Sequence, residues 1–292
     1  MRTVKIEGAD GLLLTADEWG DPSQPAVLMC HGAGQNRYAW NTSAEILSQH
    51  GWFVVTLDAR GHGDSDWSSS QSYDAEDIGR DIEAVLENFT SPPAVVGASM
   101  GGMASLAAQR TCAHQLFAAL ILVDITPHFD AEGARKVIGF MSGNPDGFSS
   151  LDEAADVISA YNPHRERPAD PSGLTRVLQQ RPDGRWTWKW DPAYVTSKPG
   201  FKAGDESALT SHMERVSRTM TEGMLATTAP ILLVRGGQSE LVTPASVREF
   251  QQLVPEAEFV DVAGTGHMVA GDDNDAFTDA VSEFLARHHP IR

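Results

Sequence analysis

The chain has 292 residues, 41% of them hydrophobic and 26 of them glycine, a composition that fills a sizeable core and excludes a disordered polymer. Its 22 Lys and Arg against 40 Asp and Glu leave a formal net charge of −18, so no basic face releases counterions from a nucleic acid and an anionic membrane surface repels the chain. Two cysteines, Cys30 and Cys112, are too few for a disulfide framework or a four-cysteine zinc site and are expected as free, buried thiols.

Charges at Arg2, Lys5, Glu7 and Asp10 break up the start before an apolar secretion signal can form. The longest aliphatic stretch, Ala118 to Val123, falls far short of the ~20 residues that span a bilayer. A cytoplasmic protein without membrane or nucleic-acid partners is the expectation. Strands at 3–7 and 11–18 form an antiparallel hairpin about Gly8 to Gly11. Apolar, β-branched runs at 26–30, 52–58, 93–98, 117–124, 230–235 and 258–263 then alternate with helical segments at 40–49, 75–89, 100–112, 244–253 and 273–288. This alternation predicts a mostly parallel sheet of eight strands covered by helices. Asp74 and Thr243 are the expected N-caps, and Pro244 suits a first helical position.

Between 125 and 228 the alternation stops. Helical patterns at 131–141, 151–161, 174–180 and 206–224 predict an inserted, mostly helical cap on a core made of 1–124 and 229–292. Within it Trp186, Trp188 and Trp190 alternate with Thr187 and Lys189, which puts three indoles on one side of an extended piece. They either bind the insert to the core or line a pocket. Asp272, Asp273 and Asp275 sit at a helix start, where negative charge complements the dipole, so no cation site is expected there.

Three motifs carry chemistry. Gly97, Ala98, Ser99, Met100 and Gly101 stand between a strand and a helix. In a G-x-S-x-G turn of this kind a sharp bend lifts the serine hydroxyl out of the sheet and tolerates only small neighbours. Ser99 is the candidate nucleophile, and the Met100 amide, first in its helix, points to where an oxyanion develops. His31, Gly32, Ala33 and Gly34 follow the strand AVLMC; tight backbone there frees amides, with Ala33 N–H the second expected oxyanion donor, Gly34 its neighbour and His31 a loop-fixing group. A phosphate loop is excluded, because neither G-x-x-x-x-G-K-[ST] nor G-x-G-x-x-G is complete. His267, between Gly264, Thr265 and Gly266 and the chain end, is the candidate general base at the carboxyl edge of a late strand and follows the serine in chain order. His62, His288 and His289 are expected to be structural. No metal or organic cofactor is implied, since the histidines and cysteines lack ligand spacing.

With HGAG at 31–34, DARGHGDSD at 58–66, GASMGG at 97–102, VRGGQSELV at 234–242 and GTGHM at 264–268, the sequence resembles the α/β-hydrolase superfamily, in the form with a helical cap after the sixth strand. The likeness covers essentially the whole core, and the cap matches only in position. It implies that the turn Asp58 to Asp64, with Arg60 and His62, is scaffold. A serine nucleophile departs from the haloalkane dehalogenases and epoxide hydrolases of that superfamily, which place Asp there. Most members carry the acid after the seventh strand, where Glu240 lies one residue beyond the usual G-x-x-D spacing and Ser239 takes the expected place. A subset, including cofactor-free ring-cleaving dioxygenases and a hydrolase of an acylaminomethylene succinate, uses an Asp after the sixth strand. The resemblance to that subset points to Asp124, with Glu240 as the alternative.

The function implied is a serine ester hydrolase working through an acyl-enzyme on small to medium apolar acyl substrates. Its lining is expected from Trp186, Trp188, Trp190, Met141, Met213, Met220 and Met224. A cofactor-free perhydrolase or dioxygenase, a C–C or amide hydrolase on the same triad, and a slow-hydrolysing ligand receptor are the alternatives. A small molecule is the expected partner, and a homo-oligomer is left open.

Overall fold

The computed structural model describes residues 1–163, 166–198, 205–267 and 275–291. Arg2–Glu7 (β1) pairs antiparallel with Leu13–Trp19 (β2) across a turn at Ala9–Gly11, as the hairpin pattern requires. Ala26–Cys30 (β3), Asn41–Gln49 (α1), Phe53–Leu57 (β4), Ala75–Leu86 (α2), Ala94–Ala98 (β5), Met100–Thr111 (α3) and Ala119–Val123 (β6) follow in alternation. The segment after β6 contributes Ala131–Ser142 (α4), Leu151–Tyr161 (α5), Leu178–Gln180 (β7), Trp186–Trp188 (β8), Ala193–Thr196 (α6) and Glu206–Ala226 (α7). Ile231–Gly236 (β9), Pro244–Leu253 (α8), Glu258–Val262 (β10) and Asp275–His288 (α9) complete the order. Asp272 and Asp273 lie outside the described residues.

Eight strands form one sheet in the order β1-β2-β4-β3-β5-β6-β9-β10, antiparallel from β1 to β4 and parallel beyond. β3, β5 and β6 are buried at every residue, which is why they read as continuous apolar runs. Successive side chains leave by opposite faces. Leu120 and Leu122 join a core with Ile78 and Ile82 of α2 and Leu106 of α3. Ala119, Ile121 and Val123 join another with Leu47 of α1 and Phe284 of α9. The caps are as expected: Asp74 and Asp77 form a reciprocal capping box, and Thr243 Oγ1 accepts the Ser246 amide at 3.2 Å ahead of Pro244.

The turn after β4 is held by buried charge. Arg37 is enclosed with Asp17 and Asp58, while Asp58 also accepts the Arg37 and Asp64 amides at 2.6 and 2.9 Å. Arg60 makes a two-pronged pair with buried Asp81. These guanidiniums have their donors occupied inside the protein, consistent with scaffold.

Two sequence readings are corrected. The stretch 174–180 is not a helix: Pro171–Arg176 is a short 3-10 segment capped by Asp170, and β7 pairs antiparallel with β8. Across the turn at Gly184 (φ 84°) the nearby strand Trp186–Trp188 offers hydrogen bonds that a single isolated helical turn lacks. Cys112 is only partly buried, near Glu83, whereas Cys30 is buried and its thiol pushed up to about 12 by desolvation. None of the described helices is long and apolar enough to cross a membrane.

Candidate active site

Ser99 caps α3 directly after β5, with φ 44° and ψ −109°, a backbone region that costs roughly 1–3 kcal/mol and persists only where the surroundings enforce it. They do so by crowding. A Cβ on Gly97 would lie 2.6 Å from the Gly102 amide nitrogen, and one on Gly101 would run into the Cys30 carbonyl. β5 lies beside β3 where the strand order reverses, so the turn after β3 passes over the serine at the crevice where such sheets assemble sites.

The amides of that turn can be accounted for one by one. Gly32 N–H donates to Gln35 Oε1 at 3.0 Å, Gly34 N–H to His62 Nε2 at 3.2 Å, and Gln35 N–H to the Gly32 carbonyl at 3.1 Å. Ala33 N–H and, at the start of α3, Met100 N–H have no partner among the described residues. His31 Nδ1 donates to the Gly32 carbonyl at 2.8 Å and its Nε2 accepts the Ala59 amide at 3.0 Å, so it fixes the turn. His62 acts as an acceptor because it stays neutral: burial, reinforced by neighbouring His31, pushes its pKa down to about 3. His288 and His289 are engaged far away with Glu258 and the Ala26 carbonyl.

Asp124 follows β6 at φ 49°, fully buried. Its carboxylate accepts the Gly236 amide at 3.0 Å, the Ser239 hydroxyl at 2.6 Å and His267 Nδ1 at 2.6 Å. Accepting Nδ1–H leaves Nε2 as the basic nitrogen of a neutral imidazole. Glu240 is instead exposed and paired with Lys136 of α4. Ser239 is the residue that sequence reasoning passed over. It fills the position where the resemblance implied an acid in most members, and its oxygen also accepts the Leu241 and Val242 amides at 3.2 and 3.1 Å. Its departure from G-x-x-D was the available signal.

Ser99 and His267 share the wall of one cavity of about 270 Å³, without a hydrogen bond between them among the described residues. Such contacts often tighten only when substrate is bound. Trp188 and Met141 line this cavity, and Met141 and Met213 line a smaller one of about 80 Å³. The other expected lining residues do not reach these two cavities. Met220 and Met224 are packed in the core, and Trp190 is buried over Gly34, stacked on Trp188 at 4.5 Å between ring centres. Trp186 pairs with Phe148 through the backbone. The indoles therefore divide between anchoring and lining. The anchoring is reinforced where the Gly63 amide donates to the Lys189 carbonyl at 2.7 Å and the Asp191 amide to the Gly61 carbonyl at 2.8 Å. No group of three or more His, Cys, Asp or Glu among the described residues is placed to hold a metal ion.

A switch-point crevice with a serine on a strained strand-to-helix turn defines a doubly wound α/β protein with a nucleophile-elbow geometry. The profile of the alpha/beta hydrolase fold matches residues 25–273, and the chain belongs to that family. It is 27% identical to an esterase of Mycobacterium tuberculosis, over 96% of this chain and 89% of that protein. It is 28% identical to the sn-1-specific diacylglycerol lipase ABHD11 of Mus musculus, over 91% of this chain and 83% of that protein. The crystal structure of E-2-(acetamidomethylene)succinate hydrolase superposes with a TM-score of 0.79 at 21% identity, covering 97% of this chain and 98% of that one.

Proposed function

We propose that the chain is a carboxylic ester hydrolase in which Ser99, His267 and Asp124 act as the triad and the Ala33 and Met100 amides as the oxyanion hole. The observation that carries this reading is the hydrogen bond to buried Asp124 from His267, which shares a cavity wall with Ser99. Ester hydrolysis is also what the names of the mycobacterial and murine relatives describe.

Ser99 Oγ attacks the ester carbonyl while His267 Nε2 takes its proton; Asp124 holds the imidazole in the Nδ1–H tautomer and stabilises the imidazolium that forms. Charge developing on the carbonyl oxygen meets two amides that have no acceptor among the described residues. Collapse expels the alcohol, which leaves with the proton from His267, and water then releases the acyl-enzyme by the same steps. The segment 125–228 serves as a cap that shapes the pockets; it supplies no triad member.

Labelling with a fluorophosphonate probe tests this directly. Wild type is expected to form an adduct at Ser99, and Ser99→Ala to remain folded, lose labelling and lose about 10³-fold or more in ester turnover. Undiminished labelling of the variant would move the nucleophile elsewhere.

A further inference from the structure

Two cavities meet at the elbow. They share a wall made by Ala33, Ser99, Val137 and Met141, and only the larger, of about 270 Å³, has His267 on its wall. The smaller, of about 80 Å³, runs under α7 and is bounded by Met103, Ile125, Phe129, Leu209, Val216 and Leu241. In acyl transfer the imidazole must return the serine proton to the leaving oxygen, so the leaving group has to sit within hydrogen-bond reach of the histidine. The acyl chain, on the other side of the same carbonyl carbon, has to go elsewhere.

Resting on the ester-hydrolase reading above, we propose that the larger arm takes the leaving group and the smaller arm the acyl group, so that the substrate is a short-chain acyl ester of a bulky, acid-bearing aromatic alcohol. The smaller arm has less than a third of the larger one's volume, about 80 against 270 Å³, so the smaller of the two groups, a short acyl chain, belongs there. Its walls are mainly aliphatic, with Tyr194 and His212 as polar members beside Ser99. The larger arm is different: Tyr38, Phe140, Tyr161 and Trp188 present aromatic surface, which suits a planar group. Among the described residues its one fixed cation is Arg176, exposed and therefore at the rim. The Arg176 guanidinium has no ion-pair partner among the described residues, although the chain carries 40 acidic side chains. Its backbone is held in place, since the Arg176 carbonyl accepts Asn36 Nδ2 at 2.7 Å. A carboxylate on the far end of the alcohol is the complement of that rim.

The covalent balance is that of an ordinary transesterification followed by hydrolysis. The Ser99 Oγ–C bond forms as the C–O bond to the alcohol breaks, the serine proton passing through His267 to the alcohol. Water then gives its oxygen to the acyl carbon, and one of its protons returns through His267 to Ser99.

Two ester series test the assignment on the full chain. In 4-nitrophenyl esters from acetate to octanoate, kcat/KM is expected to fall about tenfold or more beyond butyrate, and Leu209→Ala, which deepens only the smaller arm, to restore octanoate relative to acetate by about tenfold. Phe140→Ala, in the larger arm only, should leave that chain-length ratio unchanged and alter the ratio between phenyl and 2-naphthyl acetates. Between 3-carboxyphenyl and 3-carbamoylphenyl acetates, wild type should prefer the acid, and Arg176→Gln should reduce the preference about two- to fivefold, the scale of an exposed ion pair. Chain-length selectivity that follows Phe140→Ala rather than Leu209→Ala would reverse the arms, and equal loss of both aryl acetates in Arg176→Gln would remove the acid from the substrate. Fluorophosphonate labelling of each variant separates the two levels: a wild type that does not label at Ser99 refutes the hydrolase reading itself, whereas normal labelling with the wrong selectivity refutes only the arms.

Discussion

At the scale of single residues, the contrast between Asp124 and Glu240 turns on burial and partners. Asp124 is enclosed and accepts three hydrogen bonds, one of them from His267, while Glu240 spends its charge on Lys136 in solvent. Asp124→Asn is therefore expected to lower kcat by roughly 10³ to 10⁴, because an amide favours the wrong imidazole tautomer, and Glu240→Gln by less than about tenfold. Steady-state kinetics on one ester decides this, and the reverse ranking would transfer the acid role. Ser239 acts one step back, as a positioning residue. Removing its hydroxyl in Ser239→Ala takes one donor from a buried carboxylate and strands the Leu241 and Val242 amides. A loss of about 1–3 kcal/mol in urea unfolding is expected, with kcat about tenfold lower and KM unchanged; a change in KM alone would mean that Ser239 does not act through Asp124. Ser99 was legible in the sequence because crowding at its turn forces glycine on both sides. Ser239 was legible only as a departure from G-x-x-D, since a serine in a loop does not name the carboxylate it serves.

At the scale of elements, strands buried on both faces were legible to within two residues at each end, because continuous apolar runs of five or six residues leave little alternative. The segment 174–180 misled because its period is too short to separate a helical turn from a strand, and its partner Trp186–Trp188 lies across a turn that local propensity does not weigh. The cavities were legible only in part: Met141, Trp188 and Met213 were expected on their walls, but the rest of the lining comes from helices and loops far apart in the sequence. α4 sets part of both arms through Val137 and Met141, and it sits close to the loop after β9 only because residue 133 is glycine. A Cβ at Gly133 would be 2.6 Å from the Glu240 carbonyl oxygen and 2.9 Å from Leu241 Cα, both backbone atoms that cannot turn aside. In an isolated helix Gly→Ala gains about 1 kcal/mol; here overpacking of about 1–3 kcal/mol opposes it. Gly133→Ala is expected to be neutral to destabilising in urea unfolding and to change the acetate-to-octanoate ratio as α4 shifts. A net gain in stability with unaltered selectivity would show that α4 does not bear on that loop.

At the scale of the whole molecule, stability is tied to pH through histidines that the fold keeps neutral. His62 lies with its ring 5.2 Å from His31 and 5.1 Å from Tyr194, with Lys198 adding further positive potential, and it is pushed from 6.5 down to about 3. The unfolded chain binds a proton there below 6.5 and the native chain does not, so unfolding takes up a proton in that window. The His62 contribution is complete above about 6.5 and is lost as the pH falls toward 3, with a slope of at most about 1.4 kcal/mol per pH unit. Urea midpoints at pH 7 and 5 are expected to differ less in His62→Gln than in wild type; an equal difference in both would remove His62 from the acid response.

The insert also begins one residue after Asp124 and returns just before β9, and β6 and β9 are hydrogen-bonded neighbours. Because the two strands run parallel, with Leu120 opposite Ile231 and Val123 opposite Val234, the segment leaves at one end of the sheet and must return to the other. α7 makes that crossover, packed so closely on α3 that a Cβ at Gly223 would run into the Leu106 carbonyl oxygen. The part that can be exchanged therefore lies between Asp124 and α7, while α7, with Met220 and Met224 in the core, stays with the sheet. A chimera joined at 126 and 205, with α7 retained, should keep the fluorophosphonate reactivity of this core and take the leaving-group preference of its donor. Reactivity is then expected to stay with the sheet, and leaving-group selectivity to travel with the exchanged segment.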